Sequence, residues 1–428
     1  MKRRRVAITG LGLVTPCGQG LKPYWDAVCE GRSAIRYLSV FPIKNGFPAK
    51  LAGEVEGFDP TPFIKQRKSL KLMSREIQLS VAASFLAMED AALSPTTVLD
   101  KTRFGISLGT GIINNDLDEI GVGIRSAIGE DGKFSMAKFG QDGIRSLYPL
   151  WFLKYLPNMP ACHISIAHGL SGPSNTVTTS SAAGAQAIGE AFNVIQRGDA
   201  DLMLAGSTDS KINAMGISRF NLLGLLSYQN HVPEKSYCPF DERHDGIVIG
   251  EGAGLMVLEE LEHAQKRGAR IYGEILGYGS ASDFDFNQTA KEDHTGKKLA
   301  MTRALADAQT GPEEIDFLLA NGSGIPSEDI QESHAIKSTF EKSLGKLLVT
   351  GVKPITGHLI YGSAGVEIAA AALSLHNGVI PPLVNFEKPD ADCDLPFVTE
   401  KPQTFESRLC LFNSFGFGGQ NAALVIRK

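Results

Sequence analysis

The stretch GPSNTVTTSSAAGAQAIG, residues 172–189, decides how the rest of the chain is read. Asn175 to Thr179 is short and rich in β-branched residues, which suits a buried strand. Ser180-Ser181-Ala182-Ala183-Gly184 follows, and beyond it the apolar spacing turns helical. Small residues at such a junction let one side chain project from a sharp strand-to-helix turn, beside the first N–H groups of the helix. Ser181 holds that projecting position, where partial positive charge favours a nucleophile. Taken alone, the stretch fits an ordinary strand–loop–helix connection better. The flanking sequence must decide.

A chain of 428 residues can hold two or three average domains, or one large α/β body with a duplicated core. Its 43% hydrophobic content fills a sizeable interior, and its 46 glycines suit many tight βα turns. A formal charge of −5 argues against general nucleic-acid binding. Cys17, Cys29, Cys162, Cys238, Cys393 and Cys410 show neither CxxC nor Cys/His ligand spacing. They read as reduced core thiols of a cytoplasmic protein, so neither disulfide staples nor a metal site is expected. The opening MKRRRVAITGLGLVTP places basic residues before an apolar run, but the run is short, broken by glycine and without a small-residue cleavage site. It reads as a first strand and not as a signal peptide. No stretch is long and apolar enough for a membrane span.

Taken in order, Arg5–Gly10 is the first strand and Pro23–Gly31 a short helix. Gly10-Leu11-Gly12 begins like a nucleotide fingerprint, yet no third glycine follows at the required distance, and the reading is dropped. The run FIKQRKSLKLMSR, 63–75, places Lys65, Arg67, Lys68 and Lys71 together in a mildly acidic protein. A solvated helix face is the commoner meaning of such a run, and a dock for an acidic partner the functional one. Glu76–Leu93 has the spacing of a strong helix, and Phe104–Leu108 that of a strand. Tyr148, Trp151, Phe152 and Tyr155 cluster too densely for an exposed loop, so a plain core is expected, with an apolar tunnel lining or a subunit contact as alternatives. From Ile271 the strand–helix alternation restarts. The chain therefore reads as two similar α/β layers fused near residue 260, dividing into 1–260 and 261–428.

Six stretches agree in order and spacing with one family: GPSNTVTTSSAAGAQAIG (172–189), GDADLMLAGS (198–207), PFDERHDGIVIGEGAG (239–254), ANGSGIPSED (320–329), GVKPITGHLIYGSAGVE (351–367) and NSFGFGGQNAALVI (413–426). Together they resemble the elongating, type II β-ketoacyl-acyl carrier protein synthases across essentially the whole chain. The resemblance implies a thiolase-like α/β fold, a duplicated five-layered α-β-α-β-α body that is usually dimeric. It implies that two acyl units are joined, with no metal or organic cofactor beyond the phosphopantetheine borne by an acyl carrier protein. In that family a Cys at the strand-to-helix turn takes the acyl chain. Two His residues help decarboxylate a malonyl unit, and a Lys–Glu pair supports them.

The correspondence partly fails here. Ser181 stands at the Cys position and Asn321 at that of the first His; the second His is kept as His358, the pair as Lys353 and Glu367. Phe417 matches the gate residue of the closing glycine loop, and its N–H with that of Ser181 would form an oxyanion hole. Ser323 lies near a family contact Thr, and Ile325 replaces a second; Ile247, Trp151 and Phe152 are the remaining expected substrate-lining residues. Lys65, Arg67, Lys68 and Lys71 would meet the carrier protein.

A serine hydroxyl is far less acidic than a thiol of pKa ~8.5, and a helix N-terminus cannot ionise it without a positioned base. The Asn321 amide can donate a hydrogen bond but cannot shuttle a proton, a loss worth roughly 10²- to 10⁴-fold. The expectation is a non-condensing partner subunit of the chain-length-factor kind, paired with a Cys-bearing ketosynthase or with itself, although Gln, the usual replacement in polyketide systems, is not what stands at 181. The rival readings are a slow serine acyltransferase with His358 as base, a malonyl decarboxylase that forms no acyl-enzyme, and a carrier-protein binder without turnover.

Overall fold

Ten strands set the architecture of the computed structural model, which describes residues 3–42, 46–64, 66–94, 97, 99–283, 294–406 and 408–428. The first five are β1 (Val6–Thr15), β2 (Phe104–Gly109), β3 (Ser174–Val177), β4 (Leu202–Ser210) and β5 (Glu251–Glu260). The second five are β6 (Gly273–Ser282), β7 (Phe317–Leu319), β8 (Leu348–Thr350), β9 (Leu409–Phe415) and β10 (Gln420–Arg427). Their spatial order is β1-β5-β4-β2-β3 in the first leaf and β6-β10-β9-β7-β8 in the second. Directions repeat as well. The β1–β5 and β5–β4 pairs are antiparallel and the β4–β2 and β2–β3 pairs parallel. The β6–β10, β10–β9, β9–β7 and β7–β8 pairs follow the same sequence of directions. One topology is used twice, and the leaves join where Val6–Ile8 pairs with Gly273–Ile275.

Helices cover the leaves in three layers. α1 (Arg75–Asp90) and α2 (Met159–His168) pack on the outer face of the first leaf, α4 (Thr295–Ala308) and α5 (Pro326–Phe340) on that of the second, and α3 (Ala183–Arg197) with α6 (Ser363–Asn377) lies between. The middle position is legible in composition: every residue of α6 from Ser363 to Leu375 is buried, as expected of a helix apolar on all sides. α6 can lie directly on β5 because two glycines meet. A Cβ on Gly365 would stand 2.1 Å from the Gly254 oxygen, and one on Gly254 would stand 2.4 Å from the Gly365 carbonyl carbon. Gly10 and Gly12 act likewise in β1, where a Cβ would strike the α1 backbone at 2.5 Å and 2.1 Å. These two glycines serve helix–strand packing, in accord with dropping the nucleotide fingerprint. Among the described residues no helix is long and apolar enough to cross a membrane.

Three expectations are corrected. The strand expected at 175–179 forms over Ser174–Val177 but is exposed to half-buried, because it is the outermost strand of its leaf. The aromatic segment is not core: Tyr148 is 53% exposed, and Phe152 is 57% exposed on a 3₁₀ stretch Trp151–Tyr155 that packs against Arg67–Leu72. The basic run is itself a 3₁₀ stretch at Arg67–Leu72, since α1 begins only at Arg75.

Candidate active site

In an α/β sheet, side chains just beyond the carboxyl ends of parallel strands converge on one face. Ser181 follows β3, Asn321 follows β7, Lys353 follows β8 and Phe417 follows β9. The duplicated topology thus brings residues from both leaves to one place. The turn after β3 is sharp, as the sequence predicts: Ser180 has φ 54°, a left-handed conformation costly for a residue with a side chain. Ser181 sits in the 3₁₀ turn Ser180–Ala182 that opens into α3 and is 1% exposed. Ser414 Oγ donates to its carbonyl at 3.0 Å, and Gly416 lies so close that a Cβ there would stand 3.4 Å from the Ser181 nitrogen. The closing glycine loop therefore abuts the nucleophile turn.

His358 is held by its backbone on both sides. Its N–H donates to Val248 O at 2.7 Å, and its carbonyl accepts from Gly250 N–H at 2.9 Å. Gly357 before it has φ 77°, so glycine is needed to make the approach. The ring is oriented by a strained neighbour: Ile360, at φ 49°, aims its N–H at His358 Nδ1, 3.0 Å away. Positive φ in a β-branched residue is rare and costs on the order of 1–3 kcal/mol. Because Nδ1 accepts that bond, the ring proton resides on Nε2. Burial and the Lys353 charge hold the imidazole well below its usual pKa of 6.5, so it is neutral. His358 is therefore a hydrogen-bond donor at Nε2 and not a base there.

Asn321 is likewise fixed as a donor. Its side-chain oxygen accepts from Phe415 N–H at 3.2 Å and from Lys353 Nζ at 3.3 Å, which leaves the NH₂ group for a ligand. Lys353 Nζ also donates to Asn321 O at 2.5 Å and pairs with Glu367 at 2.8 Å. Burial pushes the Glu367 carboxyl upward, and Lys353 opposes that. Phe417 stacks 5.3 Å from the His358 ring and 6.4 Å from Phe220. Two polar atoms at the centre, Ser181 Oγ and His358 Nε2, are buried with no hydrogen-bond partner among the described residues. Leaving each unpaired costs about 1–3 kcal/mol, the signature of groups kept for a ligand.

The other expected residues divide. Ile247 is buried, and Ile325 half-buried, in the apolar cluster that holds Phe417. Ser323 is buried, but its hydroxyl bonds Asp329 at 3.3 Å. Trp151 makes ring contacts with Phe152 and Tyr155. Arg67, Lys68 and Lys71 are exposed; Lys65 lies outside the described residues. Asp241 and Asp329 tie loop backbone: Asp241 accepts from Glu387 and Lys388, and Asp329 from Phe240 and Gly324. Sequence reasoning missed Glu332, which accepts from the N–H groups of Asn321 and Gly322, each at 2.8 Å, and which burial pushes up to about 7. An acid one helical turn after Glu328, in a helix otherwise headed for the core, was the available signal. It also missed His244, whose Nδ1 lies 3.0 Å from Asp329.

The state of His358 predicts a pH effect. Unfolded chains take up a proton there below about pH 6.5 while the folded protein does not, so stability falls as pH drops through that value. His358→Gln removes this part. The stability difference between wild type and variant is expected to shift by about 1 kcal/mol between pH 6.5 and 5.5 in urea unfolding. A difference constant with pH contradicts a neutral buried ring.

Comparison with known proteins agrees with this geometry. Residues 3–264 match the model for "Beta-ketoacyl synthase, N-terminal domain" and residues 272–387 that for "Beta-ketoacyl synthase, C-terminal domain". The chain is 34% identical over 429 residues to 3-oxoacyl-[acyl-carrier-protein] synthase 2 of Vibrio harveyi, covering 100% of this chain and 99% of that one. Among solved structures it resembles the ishigamide ketosynthase/chain length factor, at 30% identity and TM-score 0.86 over 100% and 99% of the two chains. It also resembles a type II polyketide ketosynthase bound to a hexaketide in complex with its acyl-carrier protein, at 29% identity and TM-score 0.84 over 99% of each chain.

Proposed function

The chain belongs to the beta-ketoacyl synthase family, and from that premise we propose that it serves fatty acid or polyketide biosynthesis as a non-condensing partner of a Cys-bearing ketosynthase. One observation carries the reading. The Ser181 hydroxyl is buried with no hydrogen-bond partner, and the one imidazole of the site bears its proton on the nitrogen that a base would need free. No base among the described residues bonds the oxygen. The serine acyltransferase reading therefore falls behind.

Support for a partner comes from the surface. β3 presents an unpaired edge at the end of its leaf, and Ile166, on the helix α2 packed beside it, is 78% exposed. An open strand edge with exposed apolar side chains invites a second chain. Similarity to a ketosynthase/chain length factor structure fits that role. A carrier protein would dock at Arg67, Lys68 and Lys71 and deliver its phosphopantetheine arm, and no other cofactor is called for.

A second reading keeps one chemical step. The two neutral donors, His358 Nε2–H and Asn321 NH₂, suit the oxygen of a malonyl thioester as carbon dioxide leaves and the electron pair passes into an enolate. Incubation with acyl- and malonyl-loaded carrier protein separates the readings. The intact mass of the chain is expected to stay unchanged. An acyl adduct at Ser181 overturns the proposal, and release of carbon dioxide without an adduct establishes the decarboxylase.

A further inference from the structure

Tyr361 belongs to none of the roles above, yet it sits in the 3₁₀ turn Ile360–Gly362, which packs against the nucleophile turn Ser180–Ala182. It stands three positions after His358 and lies flat on Gly111, where a Cβ would be 2.1–2.3 Å from three ring carbons. Its backbone N–H donates to Asp209 Oδ2 at 3.3 Å. The Lys211 ammonium lies 5.3 Å from the ring centroid and is itself buried against Asp209. Those fixed charges hold the ring in place. Tyr361 shares one apolar cluster with Ile217, Phe220, Ile360 and Phe417, and Phe417 touches His358. Ile112, the residue after Gly111, is 54% exposed.

We infer that Tyr361 is a stopper: it limits the acyl group that fits beside His358 to a few carbons by blocking the route over Gly111 to the surface at Ile112. This rests on the reading that His358 and Asn321 hold a thioester. The test is calorimetric titration of wild type, Tyr361→Phe, Tyr361→Leu and Tyr361→Ala with acetyl- and decanoyl-pantetheine. All four proteins are expected to bind the acetyl probe alike, and wild type and Tyr361→Phe to take the decanoyl probe poorly. Tyr361→Ala should gain about a hundredfold in decanoyl affinity, the worth of a few newly buried methylenes. Tyr361→Leu, which keeps an apolar but shorter side chain over Gly111, should move the same way and decides the matter if Tyr361→Ala does not fold. Equal decanoyl affinity in wild type and the shortened variants, with acetyl bound by all, overturns the stopper alone. Failure of every protein to bind either probe overturns the thioester site and the stopper with it.

Discussion

Ser181→Cys is expected to turn a chain that stays unmodified into one that carries an acyl group after incubation with an acyl-loaded carrier protein. The turn after β3 already has what a thiol needs. The position is buried beside the start of α3, where the first N–H groups lower a thiol's pKa. A hydroxyl gains little from this, because a helix end cannot replace the missing base. The native Oγ makes no hydrogen bond, so a sulfur there gives up no partner. The gain in acylation rate should be on the order of 10²- to 10⁴-fold, the span that one missing activating function commands. Mass spectrometry after proteolysis checks the site. A Ser181→Cys protein no more reactive than wild type would show that the turn does not present its side chain to a thioester.

The second large effect concerns stability. Lys353 and Glu367 are both buried, and Lys353 also holds Asn321 through its carbonyl and side-chain oxygens. Lys353→Met leaves a carboxylate buried with no cation, a change that costs about 3–5 kcal/mol. Replacing both, as Lys353→Met with Glu367→Leu, is expected to recover most of that loss, since burying two charges is itself costly. Urea midpoints compare the three proteins. If the double variant is no more stable than Lys353→Met, the two residues do not form one coupled pair.

Much of the fold was legible because its signals are local. The helix expected at 76–93, the strand expected at 104–108 and the strand-to-helix turn at Ser181 each follow from short stretches. Motif spacing then named Asn321, Lys353, His358, Glu367 and Phe417, of which Asn321, Lys353 and Phe417 follow β7, β8 and β9. What stayed hidden depends on long-range packing. The exposure of Ser174–Val177 follows from its place at the sheet edge, which no strand pattern encodes. The aromatic run at 148–155 looked like core because density of aromatics says nothing about which surface they face. The proton position of His358 rests on the backbone of Ile360 in a rare conformation, Glu332 matters through a loop before its own helix that folds back on it, and Tyr361 lies on Gly111, far from it in sequence.

Carbon–carbon bond formation is the most direct test of a chain proposed to lend shape without joining acyl units itself. The purified protein is supplied with acyl- and malonyl-loaded carrier proteins, alone and with a Cys-bearing ketosynthase, and β-ketoacyl product is counted. Product should form only in the mixture, and the two proteins should elute together. Sustained product from this chain alone, abolished by Ser181→Ala, would contradict the account.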